Sequence, residues 1–214
     1  MAMVKIKICG LSCLRDIDAV NQERPEYIGF VFAPSRRNVT PKQAMDLRKA
    51  LHPGIVPVGV FVDETVETMV SIARDGVVDI LQLHGAEGEN VIQEVKALTH
   101  KRVIKAVSVR CQDDVERWAK TSADYLLLDH PGRGAGQRFD WNLVGEHLVG
   151  EIDKPFFLAG GLNADNVTEA IQKTRPFAVD VSSGVETNGL KDHAKIKEFI
   201  MRARNAGDDA RKKG

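Results

Sequence analysis

Short, continuous runs of apolar residues alternate with amphipathic stretches along nearly all of the 214 residues. The runs predict eight strands, at Val4–Cys9, Tyr27–Phe32, Val56–Val62, Asp79–Leu83, Val103–Ser108, Tyr125–Asp129, Pro155–Ala159 and Phe177–Val181. Each run is followed by a stretch of helical periodicity, at Leu14–Gln22, Pro41–Leu51, Val66–Arg74, Glu89–Leu98, Asp113–Lys120, Trp141–His147, Ala164–Lys173 and His193–Ala203. Because the runs are continuous, both faces of each strand should be covered, as in a parallel sheet flanked by helices.

The spacing of these units favours a closed barrel over an open sheet. The predicted strand ends lie roughly 25 residues apart, which suits a (β/α)8 barrel, the TIM-barrel fold of the α/β class. A doubly wound open sheet is the alternative, but it usually has fewer strands, and no motif in this sequence marks a dinucleotide crevice. We therefore expect a single barrel domain over residues 1–205, followed by a charged tail at 206–214 that frays.

The charge balance, the apolar runs and the cysteine count limit which partners and which compartment are expected. Lys and Arg together number 30, and so do Asp and Glu, so the formal net charge is zero and the basic surface typical of nucleic-acid binding is not expected. No apolar run approaches the roughly 18 residues of a membrane-spanning helix, so no membrane partner is expected either. Three cysteines are a low and odd count, which suggests free thiols in a reducing compartment, the cytoplasm.

In a barrel of this kind, functional groups lie where the strands end and the following loops begin. Cys9 ends the first predicted strand, and Gly10 after it lets the backbone turn. Cys9 is either a small buried apolar residue or, as a thiolate, a base. Cys13 and Cys111 lie on or beside predicted helices, and the sequence has no second pair of cysteines at zinc-ligand spacing, so no metal site is expected.

Two further strand ends carry polar groups that could contact a ligand. Arg36 and Arg37 follow the second strand, where a guanidinium fork can bind a carboxylate or a phosphate; a solvated surface pair is the alternative. His84 follows the fourth strand and either hydrogen-bonds a ligand or stabilises the structure.

Asp129 directly follows the apolar sixth strand. A carboxyl group in that position is partly desolvated and suits a general acid, although a cap or turn residue remains the alternative. The glycine-rich segment 132–137 has neither a P-loop nor a dinucleotide-binding pattern, so it predicts a flexible lid rather than a nucleotide site, and no cofactor is expected.

The last two strand ends are rich in glycine and small hydroxyl residues. They contribute Gly160 and Gly161 after the seventh strand and Ser182, Ser183 and Gly184 after the eighth. Backbone N–H groups exposed in such loops form a ready anion site, and TIM barrels often hold a phosphate between these two loops. The alternative is that the glycines serve only as turn residues. Together, the strand ends suggest acid–base chemistry on a small phosphorylated molecule.

The sequence resembles a known family, the N-(5′-phosphoribosyl)anthranilate isomerases of tryptophan biosynthesis. The similar motifs, in the family's order, are Lys7-Ile8-Cys9-Gly10, Gly29-Phe30-Val31-Phe32, Val58-Gly59-Val60-Phe61-Val62, Gln82-Leu83-His84-Gly85, Leu127-Leu128-Asp129, Phe139-Asp140-Trp141, Ala159-Gly160-Gly161-Leu162-Asn163 and Asp180-Val181-Ser182-Ser183-Gly184-Val185-Glu186. The resemblance covers nearly the whole chain.

The resemblance implies an Amadori rearrangement of an anthranilate N-glycoside of ribose 5-phosphate. Asp129 would be the general acid and Cys9 the general base, without a cofactor or a metal. Arg37 would hold the anthranilate carboxylate, since it stands four residues before the proline that opens the second helix, as the family's arginine does. The substrate-binding residues expected on this basis are Arg36, Arg37, His84, Gly160, Gly161, Asp180, Ser182, Ser183 and Gly184.

Two other functions remain open at this stage. One is another phosphosugar isomerase or epimerase, and the second is a non-catalytic barrel that binds phosphate. The chain is expected to be a monomer or a homodimer.

Overall fold

The computed structural model describes residues 3–130, 141 and 154–212. Eight parallel strands form a closed barrel in chain order, so the predicted fold is confirmed. The strands are β1 (Lys5–Cys9), β2 (Tyr27–Val31), β3 (Val56–Phe61), β4 (Ile80–Leu83), β5 (Arg102–Ser108), β6 (Tyr125–Asp129), β7 (Phe156–Leu158) and β8 (Ala178–Val181). The described helices are α1 (Leu14–Glu23), α2 (Pro41–Ala50), α3 (Val66–Arg74), α4 (Glu89–Thr99), α5 (Gln112–Ala119), α6 (Val167–Thr174) and α7 (His193–Lys212). A short antiparallel hairpin of β9 (Glu186–Thr187) and β10 (Leu190–Lys191) lies between β8 and α7.

The barrel closes between β1 and β8, which brings together residues from the two ends of the chain. Lys7 is paired in register with Asp180, and Ile8 with Val181. The carboxyl ends of β1 and β8 therefore lie side by side at the mouth. In the barrel interior, the rings of Tyr27 and Phe157 meet edge to face at a centroid distance of 5.4 Å. This aromatic packing fills the barrel away from the mouth, as expected of a solid barrel core.

Local sequence signals explain several helix boundaries. Thr40 caps α2, since its Oγ1 accepts a hydrogen bond from Gln43 N while Gln43 Oε1 accepts one from Thr40 N. The sequence pattern predicted a helix starting at Ala164. Instead, Asn163 Oδ1 accepts from the backbone N–H groups of Asp165 and Asn166 in a turn, and α6 begins later, at Val167.

The last helix is longer than its sequence pattern predicted. The pattern ended at Ala203, whereas α7 runs to Lys212, so residues 206–212 belong to a helix rather than to an irregular tail. Ala206 is buried, and Gly207 lies against Val4 at the start of the barrel. These two small residues let the helix continue close to the base of β1. The expected helix at Trp141–His147, apart from Trp141, and the expected lid at 132–137 lie outside the described residues.

Within the described part of the chain, no helix is both long enough and apolar enough to cross a membrane.

Candidate active site

A cavity of about 330 Å³ opens at the carboxyl ends of the strands. Its walls come from strand ends and loops on nearly every side of the barrel. Most of the residues singled out in the sequence line it, namely Cys9, Arg37, His84, Asp129, Gly160, Gly161, Asp180, Ser182 and Ser183. Arg36 and Gly184 do not line it.

Cys9 is buried at the end of β1, in space provided by a glycine. A Cβ on Gly29 of the neighbouring strand would lie only 2.7 Å from Cys9 Sγ, so any larger residue there would displace the thiol. The carbonyl oxygen of Cys9 accepts a hydrogen bond from Ser182 Oγ at 3.0 Å, which ties the end of β1 to the loop after β8. Gly10, at a φ of 82°, then turns the chain in a conformation that favours glycine.

A buried ion pair lies beside the thiol. Lys7 Nζ is 2.9 Å from Asp180 Oδ1; the lysine side chain is fully buried and the aspartate nearly so. Burial raises the pKa of the Cys9 thiol; Lys7 and Lys191 oppose this, Asp180 adds to it, and the pKa remains above its ordinary value. At neutral pH Cys9 is therefore mainly a thiol.

On the opposite side of the cavity, Asp129 is held by a short chain of polar side chains. Its Oδ2 lies 3.3 Å from His84 Nε2, and its Oδ1 accepts from the backbone N–H of His130 at 2.7 Å. Gln82 Nε2 lies 2.7 Å from His84 Nδ1. When Gln82 donates this bond, Nε2 carries the ring proton and points it at Asp129. His84 thus contacts the carboxyl group directly, in addition to lining the cavity.

Sequence reasoning did not single out Gln82 beyond its place in a motif. It is fully buried, and its Oε1 accepts no hydrogen bond from any residue that the structure describes. The sequence did contain a signal for Gln82, because it is the one polar residue in the otherwise apolar β4 strand, and a buried polar group needs a hydrogen-bond partner.

The loop after β4 rests on a second buried ion pair that the sequence did not reveal. Lys105 Nζ lies 2.8 Å from Glu87 Oε2, and both side chains are almost fully buried. Glu87 also accepts from the backbone N–H groups of Gly85 and Asp63. The carboxylate therefore fixes the backbone directly after His84.

The two arginines differ in their positions. Arg37 makes a two-point contact with Glu186, with Nε to Oε1 at 2.7 Å and Nη2 to Oε2 at 3.0 Å, and its side chain is 19% exposed. Arg36 Nη2 reaches the same carboxylate at 2.5 Å, but its side chain is 57% exposed. Lys191 Nζ lies 2.8 Å from Glu186 Oε1. Three cations thus surround one carboxylate, and the cluster keeps a net positive charge beside the cavity.

Glu186 belongs to a recognised motif but was not selected as a site residue, and Lys191 was overlooked. Burial by itself would raise the pKa of Glu186. Hydrogen bonds and charge from Arg37 and Lys191 outweigh burial and lower this pKa to about 2. The carboxylate stays ionised throughout the neutral range.

The loops after β7 and β8 form the wall in which an anion site was expected. Gly160 and Gly161 have φ values of 85° and 68°, and Asn166 Nδ2 donates to the Gly161 carbonyl at 2.9 Å, which secures the turn. Ser182 and Ser183 face the same cavity from the next loop. The wall carries small residues that leave the backbone accessible, as an anion site requires.

Gly184 has a packing role instead. A Cβ at this position would collide with the carbonyl oxygen of Leu162, so glycine allows the two loops to touch.

Among the residues that the structure describes, no three or more His, Cys, Asp or Glu side chains are grouped so that they could hold a metal ion.

Comparison with known proteins agrees with the sequence resemblance. The profile of the N-(5′-phosphoribosyl)anthranilate (PRA) isomerase family matches residues 6–202. The N-(5′-phosphoribosyl)anthranilate isomerase of Clostridium acetobutylicum is 47% identical over 206 residues, covering 94% of this chain and 98% of that protein.

Solved structures give the same result. The phosphoribosylanthranilate isomerase of Thermotoga maritima has a TM-score of 0.86 and 37% identity, with 95% of this chain and 100% of that chain covered. A phosphoribosylanthranilate isomerase in complex with reduced 1-(o-carboxyphenylamino)-1-deoxyribulose 5-phosphate has a TM-score of 0.84 and 38% identity, with the same coverage. Since both the sequence and the closed barrel match over nearly their whole length, the chain belongs to the N-(5′-phosphoribosyl)anthranilate isomerase family.

Proposed function

We propose that this protein converts N-(5-phosphoribosyl)anthranilate into 1-(o-carboxyphenylamino)-1-deoxyribulose 5-phosphate, a step of tryptophan biosynthesis. The observation that carries the proposal is the placement of Cys9 and Asp129 in one cavity that also has a glycine and serine wall. Membership of the isomerase family, and the bound product analogue in a related structure, support the choice of substrate.

The reaction needs one acid and one base. Asp129, in its carboxylic acid form, protonates the furanose ring oxygen, and the C1′–O bond breaks as the anthranilate nitrogen forms an iminium ion with C1′. The Cys9 thiolate then removes the proton from C2′, and the C–H electrons form a C1′–C2′ double bond while the iminium nitrogen regains its electron pair. The resulting enol tautomerises to the ketone when the enol loses its proton and C1′ gains one. Each proton transfer of this kind typically contributes about 10²–10⁴-fold to the rate.

His84 supports the acid rather than acting in place of it. Its contact with Asp129 Oδ2 holds the carboxyl group in one orientation, and Gln82 holds the imidazole from behind. A neighbouring side chain that fixes the orientation of a catalytic group improves the alignment on which proton transfer depends.

The positive cluster and the small-residue wall account for the two anionic ends of the substrate. Glu186 occupies the Nε side of Arg37, which leaves Nη1 and the second N–H of Nη2 to face the anthranilate carboxylate. Gly160, Gly161, Ser182 and Ser183 bind the phosphate, with Gly184 keeping the two loops in contact. Asp180, which also lines the cavity, binds the sugar.

The test is an isomerase assay with freshly formed phosphoribosylanthranilate, in which the loss of anthranilate-type fluorescence is followed. A decay that depends on protein concentration is expected, with ribulose 5-phosphate as the control substrate for epimerase activity. No decay, or turnover of the control alone, would contradict the proposal.

Inhibition by inorganic phosphate tests the proposed phosphate site in the loops after β7 and β8. Phosphate is expected to inhibit competitively against the substrate, and activity is expected to survive EDTA. Purely non-competitive inhibition would place the phosphate site elsewhere.

A further inference from the structure

The interior face of β1 carries two lysines and the proposed base in alternation. Lys5, Lys7 and Cys9 point to the same side of the strand because side chains alternate between its faces. Lys5 lies toward the far end of the barrel, with Nζ 4.6 Å from the centre of the Phe177 ring. Lys7 lies between them and is fully buried. The mechanism proposed above does not use Lys7.

Stability alone does not explain the pairing of Lys7 with Asp180. Two buried charges lose their hydration, and an apolar pair of similar volume is often as stable or more stable. The pair lies beside Cys9 on the neighbouring strands β1 and β8, and Asp180 lines the cavity while Lys7 does not. Its position therefore suggests a role in the chemistry of the thiol.

The charges around Cys9 come from three sides. Lys7 on β1, Asp180 on β8 and Lys191 on β10 all act on the thiol. Arg37, in the loop after β2, packs over Gly10, the residue after Cys9. The adjacent β2 residue is Gly29, which brings no charge, and His84 and Asp129 lie on the opposite wall.

We propose that Lys7 is a positioning residue for the isomerisation: its ammonium group stabilises the Cys9 thiolate, and Asp180 keeps Lys7 charged while Cys9 is still a thiol. This inference rests on the proposed function, in which Cys9 is the base. When Cys9 loses its proton to solvent, the S–H electrons stay on Sγ, and the new negative charge lies beside a cation that is already in place. No reorganisation of the core is needed, which is the advantage of a preorganised charge.

The groups around Lys7 keep its side chain charged. Burial lowers the pKa of Lys7, but the neighbouring Asp180 carboxylate and the Cys9 sulfur more than offset this, so its pKa is raised and the ammonium form persists.

The experiment measures alkylation of Cys9 by iodoacetamide in the protein without substrate. Cys13 and Cys111 are exposed thiols, so all variants carry Cys13→Ser and Cys111→Ser. Below the thiol pKa, the alkylation rate is proportional to the thiolate fraction, so each unit of pKa shift changes the rate about tenfold. Rates are compared from neutral to mildly alkaline pH.

Lys7→Met is expected to slow alkylation about tenfold or more. The direction matters, because general loosening of the barrel would expose the buried Cys9 thiol and accelerate its alkylation. Lys5→Met, on the same face of the same strand, is the matched control and should leave the rate unchanged. An unchanged or faster rate in Lys7→Met would overturn the inference.

A second variant covers the case in which Lys7→Met fails to fold. Lys7→Met with Asp180→Leu removes both charges together, so no unpaired charge stays buried, and alkylation should still be slower than in the parent. An unchanged or faster rate in this double variant would equally reject a role for Lys7.

Activity measurements separate this inference from the proposed function. If the parent protein lacks isomerase activity, the proposed function fails while the alkylation result still stands. If the parent is active and Lys7→Met retains the parent's acid limb in its kcat/KM pH profile, only the role of Lys7 fails.

Discussion

The two sides of the barrel mouth hold their reactive groups by different means. On the β1–β8 side, Cys9 is buried beside the buried ion pair of Lys7 and Asp180, and its pKa is raised by burial. On the β4–β6 side, Asp129 is 21% exposed and is held by a 3.3 Å contact with His84 and a hydrogen bond from the His130 backbone. The comparison teaches that charge placement controls the proposed base, whereas orientation controls the proposed acid.

The largest effect is expected on the thiol side. Cys9→Ala should lower kcat by at least about 10²-fold without loss of the fold, because the base is removed. Since burial raises the Cys9 pKa, the thiolate fraction, and with it kcat/KM, should increase as the pH rises. Steady-state kinetics across pH, with circular dichroism as the folding control, check both. A kcat near that of the parent in Cys9→Ala would end the role of Cys9 as base.

On the acid side, Asp129→Asn keeps the shape but cannot donate a carboxyl proton. A kcat loss of about 10²-fold is expected with little change in substrate affinity. Binding of a non-reactive product analogue, measured by titration, separates the two quantities. Weakened binding with kcat retained would make Asp129 a binding residue. The β4–β6 side would then not supply the general acid.

Variants of Arg36 and Arg37 test which arginine beside Glu186 binds the anthranilate carboxylate. Arg37→Ala should raise KM about 10–100-fold, since a two-point bond to a carboxylate is lost. Arg36→Ala, whose side chain is more than half exposed and lies outside the cavity lining, should change KM by less than about threefold. The two variants are each other's control. The reverse order of effects would assign the anthranilate carboxylate to Arg36.

His84 tests the claim that orientation matters on the acid side. His84→Ala should lower kcat about tenfold with KM nearly unchanged, because Asp129 loses its orienting contact. Gln82→Leu should act in the same direction but more weakly, since it removes only the bond behind His84. A rise in KM with kcat unchanged would instead return His84 to substrate binding.

The last prediction concerns stability rather than activity. Glu186 has a pKa of about 2, below its ordinary 4.5, so its contribution to stability is present above 4.5 and is lost as the pH falls toward 2. The loss is on the order of 3 kcal/mol, because each unit of pKa difference corresponds to about 1.4 kcal/mol.

Denaturant unfolding across this pH range measures the effect. Glu186→Gln should flatten the acid dependence, whereas Asp46→Asn, which breaks an exposed pair with Lys49, should leave it unchanged. An equally steep acid dependence in Glu186→Gln would exclude Glu186 as its source.

Much of the fold and part of the site followed from the sequence. Continuous apolar runs predicted the eight strands because burial on both faces leaves no polar alternation. Cys9 and Asp129 could be selected because each directly follows such a run, and the carboxyl ends of parallel strands gather at one rim. The end of α7 was misjudged because small residues such as Ala206 carry little apolar signal, although in the fold they are buried.

Only the tertiary structure decided which side chains pair. Lys7 meets Asp180, and Arg37 meets Glu186, across separations of 173 and 149 residues. These contacts depend on the register in which β1 closes against β8 and on where the hairpin after β8 returns. Local periodicity determines whether a segment forms a strand or a helix. It carries no information on which buried charge will face which, because that is settled by packing between distant segments.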